Sequence, residues 1–237
     1  QEGSTQKRLT ARAKLDYQAK TWLKVGANFN YSKYDYSKTS EGTIGTGTIW
    51  STIKTQAPVY PVYFRDENKN IMVDKWGENM YDFAQAYDLN RAGGVGGNCI
   101  FNNKYNVNET TGNSFIASGY VDVNLTKDLT FTFNANAYDY DRRYTEAKSP
   151  FVDYYTSSSD NGTLYKASYR TFTYNTQQLL NYGKQFGKHD VSAMVGHEYY
   201  NYKYESLSAS GRNFGIDNSW ELATLLNLNN TPNSYSN

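Results

Sequence analysis

The chain has 237 residues, with 24 Lys and Arg against 23 Asp and Glu, a net charge of +1 and no long block of one sign. That balance gives no electrostatic argument for nucleic acid or for an anionic membrane surface. Only 38% of residues are hydrophobic, yet 16% are aromatic, including 24 Tyr; disordered chains are poor in aromatics, and a soluble core here would be short of Leu and Ile.

The first ten-residue segment, Arg8 to Tyr17, alternates strictly. Leu9, Ala11, Ala13, Leu15 and Tyr17 are apolar, and Arg8, Thr10, Arg12, Lys14 and Asp16 are polar. This period of two predicts a strand with one apolar face. A tight turn at 18–21 follows. The alternation then resumes with Leu23, Val25, Ala27, Phe29 and Tyr31 against Lys24, Gly26, Asn28, Asn30 and Ser32. A second hairpin is predicted around Thr126-Lys127-Asp128. Its arms carry Phe115, Ala117, Val121, Val123 and Leu125, then Leu129, Phe131, Phe133, Ala135 and Ala137. A third, weaker hairpin turns near Gly187-Lys188-His189, with Leu180, Tyr182 and Phe186 leading into Val191, Ala193 and Val195. Past His197 the parity changes at Tyr200, Tyr202 and Tyr204, which reads as a β-bulge or as the strand leaving an apolar zone.

Six strands are expected, near 8–17, 22–34, 115–125, 129–140, 171–186 and 190–204. Links of about 37–113 and 142–170 separate the short turns. Arms of about 9–11 residues suit a tilted strand crossing a bilayer. Short turns alternating with long loops are the asymmetry of an outer-membrane barrel, and links this long are uncommon in compact soluble domains. The fold class is therefore all-β, an antiparallel transmembrane barrel segment with long extracellular loops. No apolar run reaches the roughly 18–20 residues of a membrane helix, and barrels do not need one. The start, Gln1-Glu2-Gly3-Ser4, shows no basic segment followed by an apolar run, so the chain reads as an internal piece of a longer protein. Aromatics at the arm ends, Tyr17, Trp22, Tyr31, Tyr34, Tyr138 and Tyr140, are candidate interfacial girdle residues. Ordinary strand preference for aromatics is the competing explanation.

No enzyme site assembles from the sequence. His189-Asp190 has no nucleophile placed with it, and a solvated turn explains it. Gly93-Gly94-Val95-Gly96-Gly97 lacks the lysine of a phosphate loop. Asp139 and Asp141, or Asp66 and Glu67, do not match the spacing of a calcium loop. With the single Cys99 and two histidines in one strand region, no metal, cofactor or catalytic residue is expected. The long loop at 37–113 is the candidate binding region. Trp50, Tyr60, Tyr63, Trp76 and Tyr81 are candidates for contact with a substrate or a covering lid, while packing of the loop onto itself or onto the lid is the favoured reading for most of them. Asp82–Tyr87 is compatible with a short helix.

Several stretches resemble one family in its order. They are Arg12-Ala13-Lys14-Leu15-Asp16-Tyr17 with Trp22-Leu23-Lys24-Val25-Gly26, Ala57-Pro58-Val59-Tyr60-Pro61-Val62-Tyr63, and Leu179-Leu180-Asn181-Tyr182 through Phe186-Gly187-Lys188-His189 to Gly196-His197-Glu198. Together they resemble the barrel of SusC/RagA-type TonB-dependent transporters of Bacteroidetes. The resemblance implies a barrel of about 22 strands closed by an N-terminal plug. It also implies a SusD-like lipoprotein outside, the TonB complex as partner, and import of oligosaccharides or peptides across the outer membrane. The plug and the final strand are not recognisable in this stretch, which is expected to lie wholly within the barrel domain. The alternatives are a soluble or surface-exposed carbohydrate-binding β-module, or a passive porin or adhesin barrel.

Overall fold

The computed structural model describes residues 4–38, 54, 59–74, 77–83, 98–151, 160–216 and 219–236. Seven antiparallel strands follow one another in chain order and pair only with their sequence neighbours: β1 (Thr5–Lys20), β2 (Leu23–Ser37), β3 (Val107–Asn124), β4 (Leu129–Lys148), β5 (Thr163–Phe186), β6 (His189–Phe214) and β7 (Leu225–Ser236). A short helix α1 (Cys99–Tyr105) precedes β3. Each strand read from the sequence is present and longer than its alternating stretch.

Registers fix which residues share a face. Odd residues pair with odd ones across β1 to β4, for example Leu15 with Ala27, Ala27 with Gly119, and Gly119 with Ala135. Between β4 and β5 the parity switches, since Ala135 faces Thr176, and it switches back where Leu180 faces Val195. One continuous face therefore carries the apolar odd residues of β1–β4 with Leu180 and Tyr182 of β5 and Ala193 and Val195 of β6. The opposite face carries the Asn, Ser, Thr and Gln positions.

The hairpin ends differ in construction. β1 and β2 join through Thr21-Trp22 alone, with a register shift between Gln18 and Lys20, so the turn is shorter than the 18–21 read from the sequence. β5 and β6 join through Gly187-Lys188, where Gly187 has φ 62°, a conformation glycine adopts without a side-chain clash. No register shift occurs near Tyr200, Tyr202 and Tyr204. The change of parity is real, and those tyrosines lie on the polar face without a bulge.

The long links are shorter than expected because the strands continue beyond their apolar stretches. β2 ends at Ser37 and β3 begins at Val107, while β4 runs to Lys148 and β5 starts at Thr163. β6, with 26 residues, extends about 85 Å at ~3.3 Å per residue. Even at a steep tilt this exceeds the ~30 Å of a hydrocarbon layer. β7 was not foreseen. Its sequence Leu225-Leu226-Asn227-Leu228-Asn229-Asn230-Thr231-Pro232 has almost no alternation, and pairing along β6 is what holds it extended. Where the ends of β4 to β7 meet, Ala147, Leu164, Phe214 and Leu225 form a small core with Val107, Trp220 and Leu222 against it.

Candidate functional site

The apolar face has a defined height. Leaving the short turns, the apolar stretch ends at Leu9, Tyr31, Phe115, Ala137, Phe172 and Tyr199, and the face then meets Lys7, Lys33, Asn113, Asp139 and Arg170, and on β6 Asn201 and then Lys203. At that border Arg170 grips Asp139 through Nε to Oδ1 at 3.2 Å and Nη2 to Oδ2 at 3.1 Å, and Lys203 meets Glu205 at 2.6 Å. Below the border nothing among the described residues covers the face. Leu9 is 64%, Leu15 63% and Val195 73% exposed. A soluble sandwich would bury these residues against a second sheet. An apolar band with no protein partner, bordered by charge at one end, is what a barrel presents to lipid. The band is interrupted by Thr176 and Gln178 in β5 and by His197 in β6, and Gln178 and His197 hydrogen-bond to each other at 2.6 Å. That pair is why the third hairpin reads weakly in the sequence.

The polar face is knitted by side chains reaching across strands. Thr132 Oγ1 donates to Asp122 Oδ1 at 2.7 Å, Asn136 Nδ2 to Asn175 Oδ1 at 2.9 Å, and Asn175 Nδ2 to Glu198 Oε1 at 2.9 Å. A shallow groove here is lined by residues including Lys14, Asp16, Asn28, Tyr120, Asn134 and Gln177. Two glycines set the reach of two tyrosines. Tyr120 of β3 lies over Gly26 of β2, where a Cβ would run into its ring, and its hydroxyl donates to Asp16 of β1 at 2.6 Å. Tyr34 of β2 likewise lies over Gly112 of β3 and shares a hydroxyl hydrogen bond with Tyr140 of β4 at 2.5 Å. Each spans three strands because the middle strand has no side chain.

Above the band the polar face becomes aromatic. Tyr34 stacks on Tyr36 and Tyr140, and Tyr138 stacks on Tyr140 at 6.1 Å. Further along, Tyr144 meets Tyr165 and the Tyr165 and Tyr169 hydroxyls lie 3.4 Å apart. Burial, then the Tyr140 hydroxyl, raises the Tyr34 phenol above its ordinary pKa. Of the six girdle candidates, Tyr17 and Tyr31 lie on the apolar face, 58% and 37% exposed, and Trp22 sits exposed in the turn beside it. Tyr34, Tyr138 and Tyr140 lie on the opposite face, so a lipid-facing girdle role does not fit them. Clustering at an arm end could not reveal this, but their even numbering could.

The described part of the long link between β2 and β3 folds around its own aromatics. Bridges pair Tyr63 with Tyr81, Arg65 with Ile71 and Val73 with Asn79. The Asp66 carboxylate accepts from Asn70 N at 2.8 Å, a bond that lowers its pKa, and Asp74 Oδ1 accepts from Glu78 N at 3.0 Å. Asn98 caps α1 by accepting from Ile100 N and Phe101 N at 3.1 Å each, and its amide donates to Val62 O at 2.9 Å and Asp82 O at 3.0 Å. The helix is thereby tied to the loop. Phe101 (1% exposed), Phe83, Met80 and Tyr81 (4%) form the core, with Tyr63, Phe64, Tyr105 and Phe151 against it. Lys104 sits over the Tyr105 ring at 4.8 Å, and burial first of all pushes the Tyr81 phenol up to about 12. Tyr81 is thus enclosed and does not offer a contact face, Tyr63 packs against that core, and Tyr60 is half-buried. Trp50 and Trp76 lie outside the described residues, as do Gly93–Gly97 and most of the expected helix at Asp82–Tyr87. The helix Cys99–Tyr105 carries no prediction in the sequence because its Asn-rich turns give little helical signal.

No protein-family model matches the chain. It is 27% identical over 214 residues to TonB-dependent receptor P26 of Formosa agariphila, covering 87% of this chain and 18% of that protein. Among solved structures it resembles the RagAB peptide transporter with a TM-score of 0.74 at 19% identity, covering 99% of this chain and 25% of the other. The RagAB peptide importer in its open-open state gives a TM-score of 0.73 at 20% identity and 24% of that chain. The chain thus spans less than a fifth of the curated relative and about a quarter of the structures, and these relatives are receptors and transporters rather than enzymes. With its continuous antiparallel sheet, uncovered apolar band and long loops at one end, the chain has the fold of a section of barrel wall from a SusC/RagA-type TonB-dependent outer-membrane transporter, the family its sequence resembles.

Proposed function

We propose that the chain supplies wall and outer loops to a transporter that imports oligosaccharides or peptides across the bacterial outer membrane, energised through TonB and covered by a SusD-like lipoprotein. In this reading the whole stretch belongs to the barrel domain, the apolar face meets lipid, and the polar face lines the lumen around a plug. The division of one sheet into an uncovered apolar band and a face of amides, hydroxyls and tyrosines carries the proposal. Hydrogen-bonding groups and aromatic rings together suit sugars or peptide backbones, which offer both polar edges and apolar faces. Tyr60 and Tyr63, with Trp50 and Trp76, are the loop residues proposed to meet the substrate or the lid. Tyr17, Trp22 and Tyr31 are proposed to mark the lipid interfaces.

Deleting the full gene in its host, with growth on oligosaccharide or peptide mixtures as the readout, tests this. Growth on one class should fall, and a TonB-deficient strain should match the deletion. Undiminished growth on both classes contradicts import, and uptake that survives loss of TonB identifies a passive pore instead.

A further inference from the structure

Arg142 stands on the aromatic part of the polar face, in the middle strand of the sheet, where neighbours on both sides are present. It pairs with Gly112 of β3 and Tyr169 of β5. Its guanidinium lies 4.4 Å above the Tyr169 ring. On the other side the Tyr34 ring occupies the space over Gly112 and is tied to Tyr140. The register puts only Thr110, Ser114, Tyr140, Tyr144, Ala167 and Thr171 in the remaining adjacent positions of this face, and none carries charge. Glu146, one position further along β4, is engaged by the Tyr144 hydroxyl at 2.7 Å. Arg142 Nε is buried with no acceptor, and among the described residues the guanidinium has neither hydrogen bond nor ion pair. The contrast is Arg170 on the other face, which holds Asp139 with two nitrogens.

A half-buried guanidinium without an acceptor is costly until one arrives. Arginine recognises carboxylates through a planar fork and, stacked on an aromatic ring, is held in one orientation for doing so. Asp139 and Asp141 mark this height as beyond the apolar band, so the site lies in water at the outer mouth of the wall, not in the spanning part. Resting on the lumen reading above, we propose that Arg142, with Tyr169, Tyr34 and Tyr140, forms a binding site for a carboxylate carried next to an apolar ring or chain. The transported solutes are therefore acidic. Acidic sugars and acidic peptide side chains both bring that group, and the test separates them.

The full-length transporter in detergent is titrated calorimetrically with an oligogalacturonate and a neutral oligosaccharide of equal length, and with a Glu-containing peptide and its Gln counterpart. One acidic probe should bind better than its neutral partner, identifying the source. Arg142→Gln should weaken that probe about ten- to a hundred-fold and bring it level with its neutral partner. Arg142→Lys should restore part of the preference, and heat-modifiable mobility on gels checks that each variant is folded. No acidic preference in the unaltered protein, equal binding by Arg142→Gln, or a plug carboxylate on Arg142 in the full-length structure overturns the proposal. Failure of the lumen reading shows separately, as reaction of a cysteine at Ser118 with a lipid-confined reagent.

Discussion

Replacing Ala27 by Arg should destabilise the folded full-length protein by about 2–4 kcal/mol, the range for a cation placed on the lipid face near mid-bilayer. Ala27 is central in the apolar stretch Leu23–Tyr31 and sits between Leu15 and Gly119 on the uncovered face. Its neighbour Asn28 points to the opposite face, beside the groove that holds Lys14 and Asp16. Asn28→Arg should therefore cost less than about 1 kcal/mol, as substitutions in wet surroundings usually do. Urea unfolding of both variants in lipid vesicles makes the comparison. The adjacent positions share local strand propensity, so the difference isolates what each face meets. Equal losses at both positions would contradict the assignment of faces.

Gly26→Val should cost about 1–3 kcal/mol, the usual range for forcing atoms into occupied space. By strand preference alone the substitution is favourable, since valine is normally preferred to glycine. Here the new Cβ would collide with the Tyr120 ring, which lies across Gly26 to reach Asp16. Relief would swing the ring away from the sheet and break the 2.6 Å bond. Tyr120→Ser in the same chain clears the space, so the double variant should be more stable than the sum of the two single losses predicts. Double-mutant analysis of vesicle unfolding measures that coupling. Strict additivity would show that the ring does not depend on the glycine.

The sequence made the lower half of the wall legible and the upper half not, for a physical reason. Where one face meets lipid, residues such as Leu9 to Tyr17 or Leu129 to Ala137 must alternate, and the alternation names both strand and face. Beyond Asp139 and Arg170 neither face carries the apolar band, alternation lapses, and the strands continue on backbone pairing and on local clusters such as Ala147, Leu164, Phe214 and Leu225. That is how β3 came to begin at Val107 and β5 at Thr163, well outside their apolar stretches. β7 lies in the same regime, dependent on β6 for its form. Tyr34, Tyr138 and Tyr140 were drawn to the interface by their place at strand ends, yet their parity with Ser32, Asn134 and Asn136 put them on the other side. The unpartnered Arg142 carries no sequence signal, because it is defined by the absence of carboxylates at the adjacent positions of β3 and β5 on its face, and those neighbours are known only once the register is. The aromatic packing inside the loop was the favoured reading for most of the candidates there, whereas its anchor Asn98 depends on contacts from Val62 to Asp82.

The division of the sheet into a lipid face and a lumen face is tested most directly along β4. Single cysteines at 129–138 are introduced into the full-length protein with Cys99→Ser, folded in membranes, and exposed to a lipid-confined thiol reagent. Phe131, Phe133, Ala135 and Ala137 positions should react, and Thr132, Asn134 and Asn136 positions should not. Reaction of the even positions, or protection of the odd ones, would contradict the account.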